Sequence, residues 1–295
     1  MKQAKIYTQH TYTGYSLIEL LRWKFSRLKS FTAVYVRYIL FKGVKKNLKT
    51  IKKCHKTKSG PALVAGTGPS LGEIPTDVLE YFAKQRALFG VNDYALSEKG
   101  MSYPPVYQVI CDEYFWHPET NPSAAKLKEI TQKNLKSSST LCIIQPYFKE
   151  ELIEHSENLF INTNSLPSFT KSINISKTTG LPPMTTHFAI ATAIYLGYSP
   201  IYTVGFDLNQ FLSLKIINEK LVTQKTITNG QNINTENTFW KTRETVSDFL
   251  SFTAHCISSM KLFENSVVVT LGENSMVDSL KKISFDDLKQ NLKIS

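Results

Sequence analysis

The stretch Pro61-Ala62-Leu63-Val64-Ala65-Gly66-Thr67-Gly68-Pro69-Ser70-Leu71 has the residue types for binding an anionic ligand. Ala62–Ala65 is a short apolar run and reads as a buried strand. Gly66 and Gly68 lack a Cβ, which lets a backbone take positive φ and come close to a ligand, and Ser70 is placed to cap a following helix. A strand, a loop and a helix start in this order present outward N–H groups to the negative oxygens of a phosphate. The stretch has two glycines and no following Lys-Ser/Thr, so it matches neither the dinucleotide fingerprint nor the P-loop. An ordinary strand-to-helix turn and a nucleotide site therefore both fit. Further polar residues recur at the ends of apolar runs: Asn92-Asp93 after Ala87–Val91, Asp112-Glu113 after Val106–Cys111, and Asp207 after Ile201–Phe206. In an open parallel sheet the carboxyl ends of the strands are where ligands bind, although a single Asp there is also a common helix cap.

The elements that would position these residues alternate between strand and helix. Leu79–Phe82 fits a short helix, Thr140–Ile144 another strand, and residues 158–178 read as loops. The run from Thr185 to Leu196 is a buried helix of small residues that Thr185 or Thr186 could cap and Gly197 stops. Residues 209–237 are polar, rich in Asn, Thr and Lys and without a stable period. A connection this long is expected to be an active-site lid. Residues 242–260 resume a helix, 266–270 form a last strand and 285–292 a terminal helix, while residues 1–14 carry no clear period. The pattern predicts an α/β fold with a mostly parallel sheet.

Charge divides the chain unevenly. Residues 1–60 hold 15 Lys/Arg against the single acid Glu19, whereas the remaining 235 residues hold 20 Lys/Arg against 23 acids. The basic character therefore belongs to an N-terminal extension, expected as a helical arm over residues 1–58 ahead of a domain at 59–295. Between Tyr15 and Phe41 apolar and aromatic residues are dense, but Arg22, Lys24, Arg27, Lys29 and Arg37 interrupt them. No window reaches the ~18 uncharged apolar residues of a membrane span. The arm suits an anionic membrane surface or a helix packed on the domain. Nothing later in the chain supplies a nucleic-acid-binding signature. The four cysteines lie far apart, with no CxxC pair and no His at metal-ligand spacing, as expected of reduced thiols. No metal site and no cofactor are expected, and a homo-oligomer is open.

The combination of Gly66-Thr67-Gly68-Pro69-Ser70-Leu71, Asn92 after a strand, a Thr-Thr-Gly, and the segment from Ala191 to Asp207 resembles the bacterial family 42 sialyltransferases in order and spacing. The likeness runs from about Pro61 to Asp207, more loosely to Val277, and leaves the arm outside. The same pieces are similar to a wider group that includes the motility-associated flagellin nonulosonic acid transferases and the archaeal hydroxymethylpterin pyrophosphokinase. The resemblance implies a Rossmann-like sheet of the GT-A variant type. It also implies transfer of a sugar from a CMP donor, such as CMP-sialic acid or a related nonulosonic acid, without a metal ion.

Carried over by position, Gly66, Thr67, Gly68, Pro69 and Ser70 form the donor loop. Thr67 stands where the family has a nucleotide-binding Asn, and Asn92 where it has a second Asn on the ribose or phosphate side. Thr179 and Gly180 match the Ser-Gly that touches the cytidine, and counting back from Gly197 puts Thr185 and Thr186 there instead. Asp207 matches an Asp after the strand, and Asn209 replaces a Tyr that binds the donor phosphate. The family's base is a His in the lid, but residues 208–254 contain none. Asp112, His117 and His187, in that order, are the candidates for it: the first two follow the third strand and the last opens the small-residue helix. The activity implied is a glycosyltransferase building a bacterial lipopolysaccharide, capsule or other surface glycan from the cytoplasmic side of the inner membrane. A pyrophosphokinase-like phosphotransferase and a non-catalytic assembly protein on the same fold are the alternatives.

Overall fold

The computed structural model describes residues 4–7, 12–15, 25, 28, 32, 36, 42–110, 129, 140–144, 159–161, 173–176, 184–217, 220–224, 239–241, 246–272 and 275–294. Ahead of the domain, β1 (Ala4–Tyr7) and β2 (Tyr12–Tyr15) pair antiparallel, so the aperiodic first residues contain a hairpin. Next come α1 (Lys42–Lys53), β3 (Ala62–Ala65), α2 (Ser70–Glu73), α3 (Thr76–Lys84), β4 (Leu88–Val91), a 3-10 turn (Asn92–Leu96), α4 (Glu98–Ser102), β5 (Tyr107–Ile110), β6 (Thr140–Ile144) and β7 (Leu159–Ile161). The second half has α5 (Thr185–Leu196), β8 (Ile201–Val204), β9 (Leu214–Ile217), β10 (Lys220–Gln224), β11 (Phe239–Lys241), α6 (Val246–Ser259), β12 (Val268–Leu271), β13 (Lys281–Ile283) and α7 (Phe285–Leu292).

Eight strands form one sheet in the order β13-β12-β8-β3-β4-β5-β6-β7, and each neighbouring pair is parallel. The four residues of β3, β4, β5, β8 and β12 are buried throughout, as expected of apolar runs covered on both faces. Leu63 is in register with both Tyr202 and Leu88, so these three share a face and Phe89 points to the other. On the first face Tyr202 meets Phe82 of α3, and the Lys289–Asp77 ion pair ties α7 to α3. On the second, Phe89 packs edge-on against Tyr198, just past the end of α5. The sheet is thus doubly wound and Rossmann-like, as expected. Because β3 to β7 are laid down in one direction and β8, β12 and β13 in the other, the order reverses between β3 and β8.

Helix α5 is buried on nearly every side, which its run of small and apolar residues permits. Its N-cap is Met184, without a side-chain bond, so Thr185 and Thr186 are its first two residues and not its cap. Gly197 ends it in the left-handed conformation at φ 108°, with Tyr198 N–H returning to Ala193 O.

Two points of organisation take a definite form. Residues 209–237 do not form a structureless connection: β9 and β10 fall within them, and β11 pairs with β10 to complete an antiparallel three-stranded sheet. Nor is the basic arm separate as far as residue 58. Ile51 of α1 is 0% exposed within the main core, the His55 ring packs at a tilt against Tyr195 with centroids 4.7 Å apart, and Lys56 and Lys58 N–H groups bond the carbonyls of Tyr195 and Leu196. The packed portion of the arm therefore begins by α1.

Candidate functional site

The carboxyl edge of the sheet, at the reversal between β3 and β8, gathers most of the described donor-loop residues. After β3 the chain runs through Gly66–Pro69 into α2, and after β8 it runs through Gly205, Phe206, Asp207 and Leu208. These two loops are stitched together. Gly66 N–H donates to Val204 O at 2.8 Å, Gly68 N–H to Gly205 O at 2.9 Å, and Ser70 N–H to the Asp207 Oδ2 at 3.0 Å. In return Gly205 N–H donates to Ser70 Oγ at 2.8 Å.

This stitching corrects the expected use of the glycine loop. A Cβ on Gly66 would fall 2.4 Å from Gly205 O, and one on Gly68 would fall 2.3 Å from Asp207 Oδ2 and 2.8 Å from Gly205 O. Neither Gly66 nor Gly68 has positive φ; that conformation belongs to Gly205 at 69° and Gly272 at 97°. The glycines are needed because one backbone lies against another. The N–H groups of Gly66, Gly68 and Ser70 are spent on β8 and its loop, and those of Leu71 and Gly72 on Gly68 O and Pro69 O, so these do not face outward to a phosphate. Ser70 caps no helix: it is the first residue of α2, and its hydroxyl crosses to β8.

Asp207 is 3% exposed. Its Oδ2 is held by Ser70 N–H, its backbone carbonyl accepts from Met276 N–H at 2.8 Å, and its Oδ1 is buried without a hydrogen-bond partner among the described residues. Asn209 follows it, half-buried, its carbonyl accepting from Leu212 N–H. Asn92 sits at the end of β4 with φ 50°, a left-handed conformation that Asn tolerates better than most residues. Its carbonyl accepts from Gln108 Nε2 at 2.7 Å, and its Oδ1 is likewise buried and unpartnered among the described residues. Since Ala65 is in register with both Gly90 and Val204, Asn92 and Asp207 flank the end of β3. At two strand spacings they stand about 10 Å apart across it.

Several supports of this edge have weak sequence signals. Gly272 after β12 has room for Ser70, whose Cβ lies 2.8 Å from where a side chain would start. Ser275 Oγ donates to Phe206 O at 3.2 Å and accepts from Val277 N–H. Lys99 Nζ reaches the carbonyls of Gly72 and Ile74 at 2.7 and 2.6 Å and fixes the end of α2, with burial drawing its pKa below the usual lysine range. The Gly-x-Asp at 205–207 hinted at a tight loop. Nothing marked Ser275 or Lys99.

Thr185 and Thr186 are buried at the start of α5, which lies at the carboxyl edge because α5 descends to the start of β8. The half-buried Thr67 and Pro69 complete the loop. His187, the third candidate base, is 0% exposed, wedged between Phe206 and Phe263 with Nε2 2.6 Å from Ser259 Oγ. Burial first, and the nearby charge of His255 second, lower its pKa to about 3, so the ring is neutral near pH 7. Ser259 Oγ also donates to Cys256 O at 2.6 Å, which leaves His187 Nε2–H as the donor to that hydroxyl. The ring joins α5 to α6 and has no open side for an acceptor. Asp112, His117, Thr179 and Gly180 lie outside the described residues. Among the described residues no group of His, Cys, Asp and Glu could hold a metal ion, and the buried Cys256 is a free thiol.

No family model and no curated protein matches the chain. Among solved structures, the MAf glycosyltransferase from Magnetospirillum magneticum AMB-1 aligns over 85% of this chain, at 13% identity and a TM-score of 0.40. The aligned part is 41% of that longer chain, and at this distance the likeness says nothing of substrate or reaction.

Proposed function

We propose that this chain is a nucleotide-sugar glycosyltransferase whose donor is a CMP-activated nonulosonic acid, such as CMP-sialic acid, and whose acceptor is a bacterial surface glycan or glycolipid. The resemblance of the Gly66–Leu71, Asn92 and Ala191–Asp207 segments to the sialyltransferases supports it. The observation that carries it is the Asp207 carboxylate at the reversal point of a doubly wound sheet, with one oxygen fixed by Ser70 N–H and the other buried without a partner. A ligand donor reaching that oxygen would relieve a penalty of ~1–3 kcal/mol. A ribose or sugar hydroxyl supplies such a donor, whereas a phosphate offers only acceptors and negative charge. The reading therefore puts the hydroxyl-bearing part of the donor at Asp207 and its phosphate elsewhere on the edge.

In the reaction an acceptor oxygen forms a bond to the anomeric carbon, and the bond from that carbon to the phosphate oxygen breaks. CMP leaves with the electron pair, and the acceptor's proton passes to a base. Asp112 stands first for that role and His117 second, because both follow β5 in the sequence and the carboxyl ends of strands are where ligands bind in an open parallel sheet. The buried His187 holds α5 and α6 in place.

Titration of CMP, UDP, GDP and ATP, the last with and without Mg²⁺, tests the reading by calorimetry and melting shift. CMP is expected to bind and raise the melting temperature. Asp207→Asn keeps an acceptor for Ser70 N–H but turns an amide N–H₂ toward the ligand. It should weaken CMP binding about 10-fold to 100-fold, as for loss of a hydrogen bond to a charged group, without changing the melting of the free protein. Binding of ATP with Mg²⁺ alone would move the protein to phosphoryl transfer. Failure of every nucleotide to bind would remove the enzyme reading.

A further inference from the structure

The amino edge of the sheet, opposite the candidate site, is bordered by lysines. Lys56 and Lys58 are exposed and line an open cleft of about 460 Å³ together with Gly197, Ser199, Asn265 and Ser266. Their positions are fixed by their backbones, through the bonds to the carbonyls that close α5. Lys49, Lys52 and Lys53 are exposed on α1 just upstream, while Ile51 and Asn47 of the same helix are buried. Five ammonium groups thus project within ten residues from a segment anchored in the core.

Further upstream, Phe25, Leu28 and Val36 are helical and 72%, 63% and 43% exposed. Thr32 lies between them, and its hydroxyl donates to Leu28 O at 2.9 Å, as one helical turn allows. At about 100° per residue these four positions fall within an arc of about 80°, so the three apolar side chains share one stripe. A stripe of large apolar groups left in water calls for a partner. The partner must accept apolar side chains and also complement the charge of residues 1–60, where 15 Lys/Arg face one acid. A nucleic acid supplies the charge but no apolar phase. A second copy of this chain would supply apolar groups and set one basic arm against another. The headgroup and acyl boundary of an anionic bilayer supplies both.

We propose that the stripe of Phe25, Leu28 and Val36 and the amino-edge lysines together dock this protein on an anionic lipid surface, with the Lys56–Lys58 cleft on the headgroup layer. The carboxyl edge with Asp207 lies at the other end of the strands and stays open while the protein is docked. The inference is independent of the donor chemistry proposed above, and failure of nucleotide binding would leave it standing.

Co-sedimentation of the full chain with vesicles tests it, using phosphatidylcholine alone and phosphatidylcholine with a quarter phosphatidylglycerol. Binding is expected on the anionic vesicles only, with release in 0.5 M salt and no competition from millimolar inorganic phosphate. Lys56→Gln with Lys58→Gln should weaken anionic binding about 25-fold, the product of about fivefold for each lysine near such a surface, with circular dichroism and melting unchanged. Phe25→Ser with Leu28→Ser should weaken it as well. Equal binding to neutral vesicles, wild-type binding by either double variant, or displacement by phosphate would overturn the proposal. So would sedimentation equilibrium showing that the serine variant splits a dimer while vesicle binding persists.

Discussion

Placing one methyl group at Gly66 tests whether the two loops at the sheet's reversal point depend on backbone lying against backbone. In Gly66→Ala the new Cβ would sit 2.4 Å from Gly205 O and 3.1 Å from Gly205 C, both main-chain atoms that no rotamer change can move. Restoring an ordinary contact needs the loops to part by about 1 Å. That takes the Gly66 N–H to Val204 O and Gly68 N–H to Gly205 O bonds, now 2.8 and 2.9 Å, out to near 3.8 Å, beyond hydrogen-bond range. Two such bonds at about 1 kcal/mol each and an overpacking cost of about 1–3 kcal/mol give a loss of about 3–5 kcal/mol. In a protein of this size the melting temperature should fall on the order of 10 °C. Gly60→Ala is the control. Gly60, unlike Gly66, has positive φ, 80°, but its Cβ would meet nothing within 4 Å, so only the left-handed penalty of about 1 kcal/mol applies. Gly205→Ala strains the same contact from the other side, at 2.6 Å from Gly66 O. The double variant should therefore lose less than the sum of the two singles. If Gly66→Ala melts with the wild type, or no lower than Gly60→Ala, the loops are not held by this contact and the reasoning fails.

Two further perturbations separate the core from the arm. The neutral, buried His187 favours folding above its ordinary pKa of 6.5, and this contribution is lost as pH falls from there toward about 3, because the unfolded chain takes up a proton that the folded one refuses. Stability should fall by about 1.4 kcal/mol per pH unit below pH 6 from this group, and urea titrations of His187→Asn should show a shallower dependence. Removing residues 1–41 should leave the melting of the domain close to that of the full chain, whereas removing 1–58 or making Ile51→Ala should cost about 2–4 kcal/mol by denaturant titration, because Ile51 fills the core.

The strands at the centre of the sheet were legible because both of their faces are covered, so β3, β4, β5, β8 and β12 appear as short unbroken apolar runs. The edges were not. β13 is Lys281-Lys282-Ile283, two exposed lysines and one partly buried apolar residue, a composition that blunts an edge against further pairing and carries no apolar alternation. β7 has three residues inside a tract otherwise rich in Ser and Asn. The sheet of β9, β10 and β11 hid for a related reason. It is built from Lys, Thr and Gln beside Leu, Ile and Val, with Ile216 turned to solvent, so its period-two signal is diluted. Ile51 was overlooked because a single anchoring side chain among lysines cannot outweigh them in any count of composition.

The candidate site shows a subtler limit. Sequence identified the residues that converge, since Gly66, Gly68, Ser70, Asn92 and Asp207 all reach the same edge, but it assigned the glycines the wrong neighbour. A glycine that admits a ligand and a glycine that admits another loop leave the same local trace: no Cβ after an apolar run. What distinguishes them is the residue on the facing loop, and Gly205, 139 positions away from Gly66, becomes its neighbour only once β8 is placed beside β3. The same pairing decides the role of Asp207. As a lone acid after a strand it fits a helix cap, but with Ser70 N–H on one oxygen and nothing described on the other, it becomes a buried acceptor waiting for a donor. The spent N–H groups and the unspent carboxylate oxygen therefore argue together. An edge where the N–H groups of Gly66, Gly68, Ser70, Leu71 and Gly72 are consumed and the buried Asp207 and Asn92 oxygens remain is suited to a ligand that donates hydrogen bonds, which the nucleotide sugar proposed above would do through its ribose and sugar hydroxyls more than through its phosphate.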